Sequence, residues 1–429
     1  MKLLVCGDVH IGRASSRVPE SIARDQIWTV RAWHALVDLA VAEKVDLLCL
    51  TGDIADQDNR FWEAIGPLEQ GIGAAAASGI RTVAVAGNHD HDVLGRLADS
   101  LDPNLRDHFT LLGRGGTWQR ETIRRDGRSV LHIDGWSFPD RYVDRSPLDD
   151  YALPAVGDAP VLGMVHGDLD DPNSRYAPLD LAQLRRFEVA GWLLGHVHAP
   201  RLEKSPGRAS VLYPGSPQAM DPGEPGVHGA WLVEVGADGV ASCELKPLSS
   251  VRYHEVTVDL DDIDDDPTLQ STLVEAVRSE AVRLVEPCGE QLLVLSLRLK
   301  LVGSTALSGR LTQLCGDLAG ELDLAVGAVR VGIEKIVYQT TPVIDLAAHA
   351  NGRTAVSALA RLLLALEQND TEQEIAQVIG LAEQKVRQMR SRRDFVELPE
   401  ADACDQRATR DMLKAQARSL LGELLGQVS

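Results

Sequence analysis

Lys2-Leu-Leu-Val-Cys-Gly-Asp-Val-His10 carries a short apolar run into a polar motif, and the same event recurs down the first half of the chain. Leu47–Leu50 runs into Thr51-Gly-Asp53, and Thr82–Ala86 into Gly87-Asn-His-Asp-His91. Val161–Val165 then runs into His166-Gly-Asp168, Trp192–Leu194 into Gly195-His-Val-His198, and Val211–Tyr213 into Pro214-Gly-Ser216. Runs of this length bounded by glycine read as buried strands. Between the early ones lie helical spacings, such as Ile27, Val30, His34, Val37 and Val41. Strand, helix and strand alternate, which predicts an α/β fold with its chemistry at the carboxyl ends of the strands. Every polar motif sits at such an end, so all of them converge on one rim.

The residue types on that rim suit divalent metal ions. Oxygen and nitrogen donors without thiolates favour manganese, iron or zinc, and a pair of ions needs a carboxylate able to bridge them. Asp8 and His10 alternate by two on an extended segment, so both face one way and can chelate together. His196 and His198 repeat the device, while Asp53, Asn88 and His166 each follow a separate strand beside glycine. A histidine near its ordinary pKa suits protonation of a leaving oxygen, and His89, adjacent to Asn88, fits by position. Asp90 reads as an anchor for its loop, and His34 and His132 as structural.

The order GD-x-H, GD, GNHD, HGD, GH-x-H resembles the calcineurin-like metallophosphoesterase superfamily over about residues 2 to 235. The resemblance implies a four-layer α/β/β/α sandwich. It also implies one ion held by Asp8, His10, Asp53 and His198 and a second by Asp53, Asn88, His166 and His196, with Asp53 bridging and His89 assisting the transition state. Tyr213-Pro-Gly-Ser-Pro and the following Asp221-Pro-Gly-Glu224, together with the GDVHIG opening, look like SbcD-type DNA-repair exonucleases. That likeness implies a manganese-dependent enzyme acting on DNA ends, a 3′-to-5′ exonuclease and single-strand endonuclease, with a homodimer and an SbcC-like coiled-coil ATPase as partners. One position departs from it: many of those nucleases have histidine three residues after the bridging aspartate, where this chain has Asp56. A phosphodiesterase or phosphatase for nucleotides or other small molecules is the alternative.

Length and composition set the frame. With 429 residues the chain exceeds one ordinary core. Residues 1–250 are expected to form the phosphoesterase domain, 251–345 a small α+β capping domain, and 346–429 a helical region suited to docking a partner. In the last part, Ile375, Val378, Ile379, Ala382, Val386 and Met389 follow a Thr371–Glu374 capping box, and a final helix carries Met412, Leu413, Leu420, Leu421, Leu424 and Leu425. No apolar run reaches the roughly 18 to 20 residues of a membrane span, and the amino terminus is too polar for a secretory signal, so a cytoplasmic address is expected. The six cysteines show no CxxC spacing and read as reduced thiols. A net charge of −20 confines any nucleic-acid contact to local features. Two basic clusters stand out: Arg120, Arg124, Arg125 and Arg128 in an expected hairpin, and Lys385, Arg387, Arg390, Arg392 and Arg393.

Overall fold

The computed structural model describes residues 1–19, 22–56, 61–169, 171–204, 209–237, 239–286, 291–316, 318, 322, 324–368, 373–390 and 406–426. The chain divides into two compact units: Met1–Glu255 with Ser279–Arg298 and Leu322–Glu334, and Val256–Arg278 with Leu299–Glu321 and Lys335–Ser429.

The first unit is built on strands β1 (Lys2–Cys6), β2 (Leu47–Leu50), β3 (Arg81–Ala84), β4 (Phe109–Leu111), β5 (Gln119–Arg125), β6 (Arg128–Trp136), β7 (Val161–His166), β8 (Gly191–Gly195), β9 (Arg201–Glu203), β10 (Ser210–Tyr213), β11 (Gly229–Gly236) and β12 (Gly239–Pro247). They form two six-stranded sheets, ordered β12-β11-β1-β2-β3-β4 and β5-β6-β7-β8-β10-β9. β1 to β4 run parallel, and β11 closes antiparallel on β1 with Leu4 opposite Leu232.

The strand period of two decides which side of the first sheet each residue serves. Leu3, Val5, Leu47 and Cys49 join a core with Leu131, Ile133, Leu162 and Met164 of the second sheet. Their neighbours Leu4, Cys6, Leu48 and Leu50 pack instead with Trp33, Leu36, Leu68, Ile72 and Leu94. Those partners lie on helices α1 (Thr29–Ala42), α2 (Phe61–Ala77) and α3 (Val93–Ser100). Both faces of β1 and β2 are therefore covered, which is why these strands read as continuous apolar runs. The far face of the second sheet has its own core around Trp136, Val165, Trp192, Leu194 and Tyr213.

The arginine-rich hairpin is β5–β6, turned by Asp126-Gly127 with positive φ at both positions, as a two-residue type I′ turn requires. Two of its four arginines are paired. Arg120 grips the fully buried Asp134 through two bonds of 2.6 Å, Tyr151 donates to the same carboxylate at 2.7 Å, and Arg125 pairs with Asp46. His132 is held between Thr122 and Asp158, a structural histidine as expected.

A four-stranded sheet follows, ordered β13 (Val251–Asp259), β14 (Val294–Thr305), β16 (Val329–Pro342) and β15 (Leu324–Val326), its strands divided between the two units. The expected helix from Thr268 to Val285 spans Asp266–Val285. The second unit ends in helices Leu346–Ala350, Ala355–Glu367, Gln373–Arg390 and Gln406–Gly426. In the last of these Ala417 and Leu421 are buried against Leu346, Ala360 and Leu363, with Leu425 beside them. Leu413 joins Leu366, Ile375 and Ile379. The inward stripe is thus 413, 417, 421 and 425, one residue per turn, and Met412 and Leu420 fall off it, 50% and 47% exposed. The Thr371–Glu374 box begins on residues outside the described ones, as do Arg392 and Arg393 of the second basic cluster. Cys6, Cys49 and Cys315 are buried free thiols. Among the described residues no helix is long and apolar enough to cross a membrane.

Breaking a buried ion pair leaves its partner uncompensated, so Asp134→Ala should lower unfolding stability by about 3–5 kcal/mol, against about 0–1 kcal/mol for loss of the exposed Arg125–Asp46 pair. Denaturation midpoints of Asp134→Ala and Arg125→Ala measure the two, and equal effects would refute the assignment.

Candidate metal centre

β1, β2, β7 and β8 deliver their following residues to one spot because they run parallel and side by side within their sheets. The chain then turns sharply at each of them. Asp8, His10, Asp53 and His196 all adopt positive φ, at 50°, 49°, 50° and 101°, a conformation that strains side chains other than glycine and gathers at functional sites. Backbone bonds hold the turns: Asp8 N–H donates to Gly52 C=O and His10 N–H to Asp53 C=O, each at 3.0 Å. Gly87 is required by close approach, since a Cβ there would lie 2.2 Å from Asp53 Oδ1.

Seven of the eight residues singled out from the sequence are brought into a web of short contacts, with His196 set at its edge. His10 Nε2 faces His198 Nε2 at 3.2 Å. Asp8 Oδ1 lies 3.9 Å from His198 Nε2, and Asp53 Oδ2 lies 4.0 Å from His10 Nε2 and 3.4 Å from His166 Nε2. Asn88 Oδ1 is 3.1 Å from His166 Nε2. His89 donates its backbone N–H to Asp53 Oδ1 at 2.8 Å and stands edge-on to the His10 ring at 4.8 Å. His196 donates its backbone N–H to Asp8, and its ring lies 5.4 Å from that of His166. Asp8, Asp53 and His166 form one group able to hold an ion, and Asp8, His10 and His198 another.

Tautomers test whether cations fit. His10 Nδ1 lies 3.2 Å from Asp56, His198 Nδ1 2.6 Å from Glu224, and His166 Nδ1 3.0 Å from the Thr51 carbonyl. Each of these partners is an acceptor, so in the neutral rings the proton sits on Nδ1 and Nε2 presents a lone pair. Two lone pairs then meet between His10 and His198, and a third points at the oxygens of Asn88 and Asp53. Only positive charge reconciles such convergence. Protons respond to the same field: burial works against the charged His166 ring, yet the Asp53 carboxylate raises its pKa to about 9. The donor set fits divalent cations.

Three residues around the centre support it from behind. Asp90 is fully buried and accepts from Gly87 N–H at 2.8 Å and Ile54 N–H at 2.7 Å, which ties the loops bearing Asn88 and Asp53 together. The sequence assigned it that anchoring task. Asp56 and Glu224 were not assigned theirs. Asp56 Oδ1 serves His10 and also lies 3.3 Å from His89 Nδ1, off the line of a hydrogen bond. Glu224 holds His198 through one oxygen and the Met220 N–H through the other, at 2.7 Å. A carboxylate behind His10 and another behind His198 was the signal available, but neither residue lies next to its histidine in sequence.

Loss of such a supporting carboxylate typically weakens metal affinity roughly 10- to 100-fold. Glu224→Ala should do so in calorimetric titration with manganese, with its far-ultraviolet circular dichroism unchanged. The control Glu244→Ala, which removes only an exposed partner of Lys246, should titrate as wild type.

Residues 1–200 match the family model described as Calcineurin-like phosphoesterase, and residues 253–341 the model described as Metallophosphoesterase YhaO, middle domain. A relative, the uncharacterized metallophosphoesterase YhaO of Bacillus subtilis (strain 168), is 29% identical over 249 residues, 57% of this chain and 59% of that protein. The match thus spans less than two thirds of the relative's length. Among solved structures, a dimetal phosphatase from Danio rerio aligns over 54% of this chain and 92% of its own at 13% identity and a TM-score of 0.34. The calcineurin-like phosphoesterase YfkN from Bacillus subtilis aligns over 66% and 98%, at 13% identity and a TM-score of 0.33. The first family model covers every residue of the centre but the support from Glu224, so the centre lies wholly in the part of the chain that is similar to calcineurin-like phosphoesterases.

Proposed function

We propose that this protein hydrolyses phosphodiester bonds in DNA at strand ends, as a manganese-dependent nuclease. The observation that carries the hydrolytic part is the facing Nε2 atoms of His10 and His198 at 3.2 Å beside Asp53, an arrangement built for cations. When bound, a pair of divalent ions lowers the pKa of water and offsets charge growing on phosphoryl oxygens. Asp8, His10, Asp53 and His198 would hold one ion and Asp53, Asn88, His166 and His196 the other.

The protein's own task is to position the phosphate and manage a proton. His89 is placed for the proton. Burial disfavours its charged ring, but Asp56 and Asp53 raise its pKa above the ordinary value. Nδ1 is turned to Asp56 while the side chain stays 29% exposed, so Nε2 can carry a proton to a departing alkoxide. The support for DNA is the GDVHIG opening and the Tyr213–Ser216 and Asp221–Glu224 stretches, the last of which the structure engages through Glu224. The net charge of −20 is the feature that favours a small phosphodiester instead.

The test uses 3′-labelled single-stranded and duplex DNA beside bis-p-nitrophenyl phosphate, with manganese. Chelation should abolish both activities and manganese restore them. His89→Asn should cut kcat roughly 10²- to 10⁴-fold with metal content retained. Turnover of the small diester without attack on either DNA would overturn the nuclease reading and leave a small-molecule phosphodiesterase.

A further inference from the structure

A row of rings leads from His196 to the exposed Tyr142. Tyr176 packs against the His196 ring at 4.9 Å with the planes tilted by 35°, and Tyr142 follows at 5.8 Å. Over Tyr142 lies the Arg175 guanidinium, 4.0 Å from the ring centre, with Arg141 at 5.4 Å. Tyr142 is 41% exposed, among the most exposed of the described large hydrophobic side chains. A half-open ring paired with guanidinium groups offers flat polarisable surfaces of the kind on which a planar group can stack.

The row is rigidly presented. Val143 N–H donates to Arg175 C=O at 2.9 Å and Ala177 N–H to Val143 C=O at 2.7 Å, pairing the two loops as a short parallel ladder. Asp168 N–H, two residues beyond the candidate ligand His166, bonds Tyr176 C=O at 3.0 Å and locks the ladder to the end of β7. Two ring steps from His196 place Tyr142 within reach of the nucleoside attached to a phosphate at the centre.

We propose that Tyr142 and Arg175 form a stacking platform for the first base of a single strand whose phosphate occupies the metal centre. Rings and guanidinium planes stack on any base, so such a platform holds a strand without reading its sequence. It also eases the difficulty set by the acidic chain, because stacking gains affinity without neutralising phosphates and survives salt better than ion pairing. The inference rests on the nuclease reading above and names the form of substrate: single-stranded at the cleaved end, with at least one base beyond the scissile bond.

The experiment compares kcat/KM for a fluorescent thymidine 12-mer and for the same oligonucleotide made abasic at the terminal positions, using the full chain. Wild type should prefer the base-bearing strand about 10-fold or more, a preference lost in Tyr142→Ala and Arg175→Ala and kept in Tyr142→Phe and in the control Arg283→Ala, an exposed arginine on another element. Because the readout is a ratio within one variant, partial misfolding cancels, and Arg175→Ala stands in if Tyr142→Ala does not fold. Digestion of both strands with a ratio unmoved by Tyr142→Ala and Arg175→Ala would overturn the platform and leave the nuclease reading intact. Wild-type turnover of bis-p-nitrophenyl phosphate with neither oligonucleotide cut would overturn both.

Discussion

Two imidazole nitrogens that face each other without a proton between them set the terms for this molecule. His10 and His198 approach to 3.2 Å at Nε2 because Asp56 and Glu224 hold their other nitrogens. That contact is repulsive for neutral rings and satisfied by positive charge. Each partner arrives from a different sheet, His10 after β1 and His198 after β8. Left-handed backbone at Asp8, His10, Asp53 and His196 is the visible cost of bringing the donors so close. The hydrophobic sandwich beneath, with both faces of β1 and β2 covered, is what sustains that cost.

Electrostatics also separates the interior of the site from the surface of the chain. The centre concentrates carboxylates and histidines around positions for cations, whereas two of the four arginines of the β5–β6 hairpin, Arg120 and Arg125, are drawn into pairs with Asp134 and Asp46. A count of basic residues in sequence therefore overstates the positive surface offered to a polyanion. What the rim does offer is a short run of rings and guanidinium groups beside His196.

Much of this was legible in the sequence, for a physical reason. Each candidate ligand follows a strand buried on both faces, so a continuous apolar run ending at Gly-Asp or Gly-His marks both the strand and the rim it serves. Asp8, His10, Asp53, Asn88, His166 and His198 could be gathered on that ground alone. Asp56 and Glu224 could not, since a supporting carboxylate is defined by distance across loops, 46 and 26 residues from the histidines they hold. The packed stripe of the last helix was half legible: the six apolar residues allow two overlapping faces, and only the partners Leu346, Leu363 and Leu366 choose between them. The division into units was least legible, because the chain crosses between them several times and no composition shift marks the crossings.

The pairing of β1 sets the order in which the site can form. β1 carries the first two candidate ligands, yet one of its neighbours is β11, whose Leu232 pairs with Leu4. Ribosomal synthesis therefore releases every histidine and aspartate of the centre before the strand that closes the sheet beside them has been made. A nascent chain ending near residue 200 holds all the ligands on an open edge and lacks Glu224 behind His198. Contacts spanning so much sequence slow folding, and an unpaired edge invites other strands. The donor set with its support behind His198 is thus complete only once the chain leading into β11 has been made.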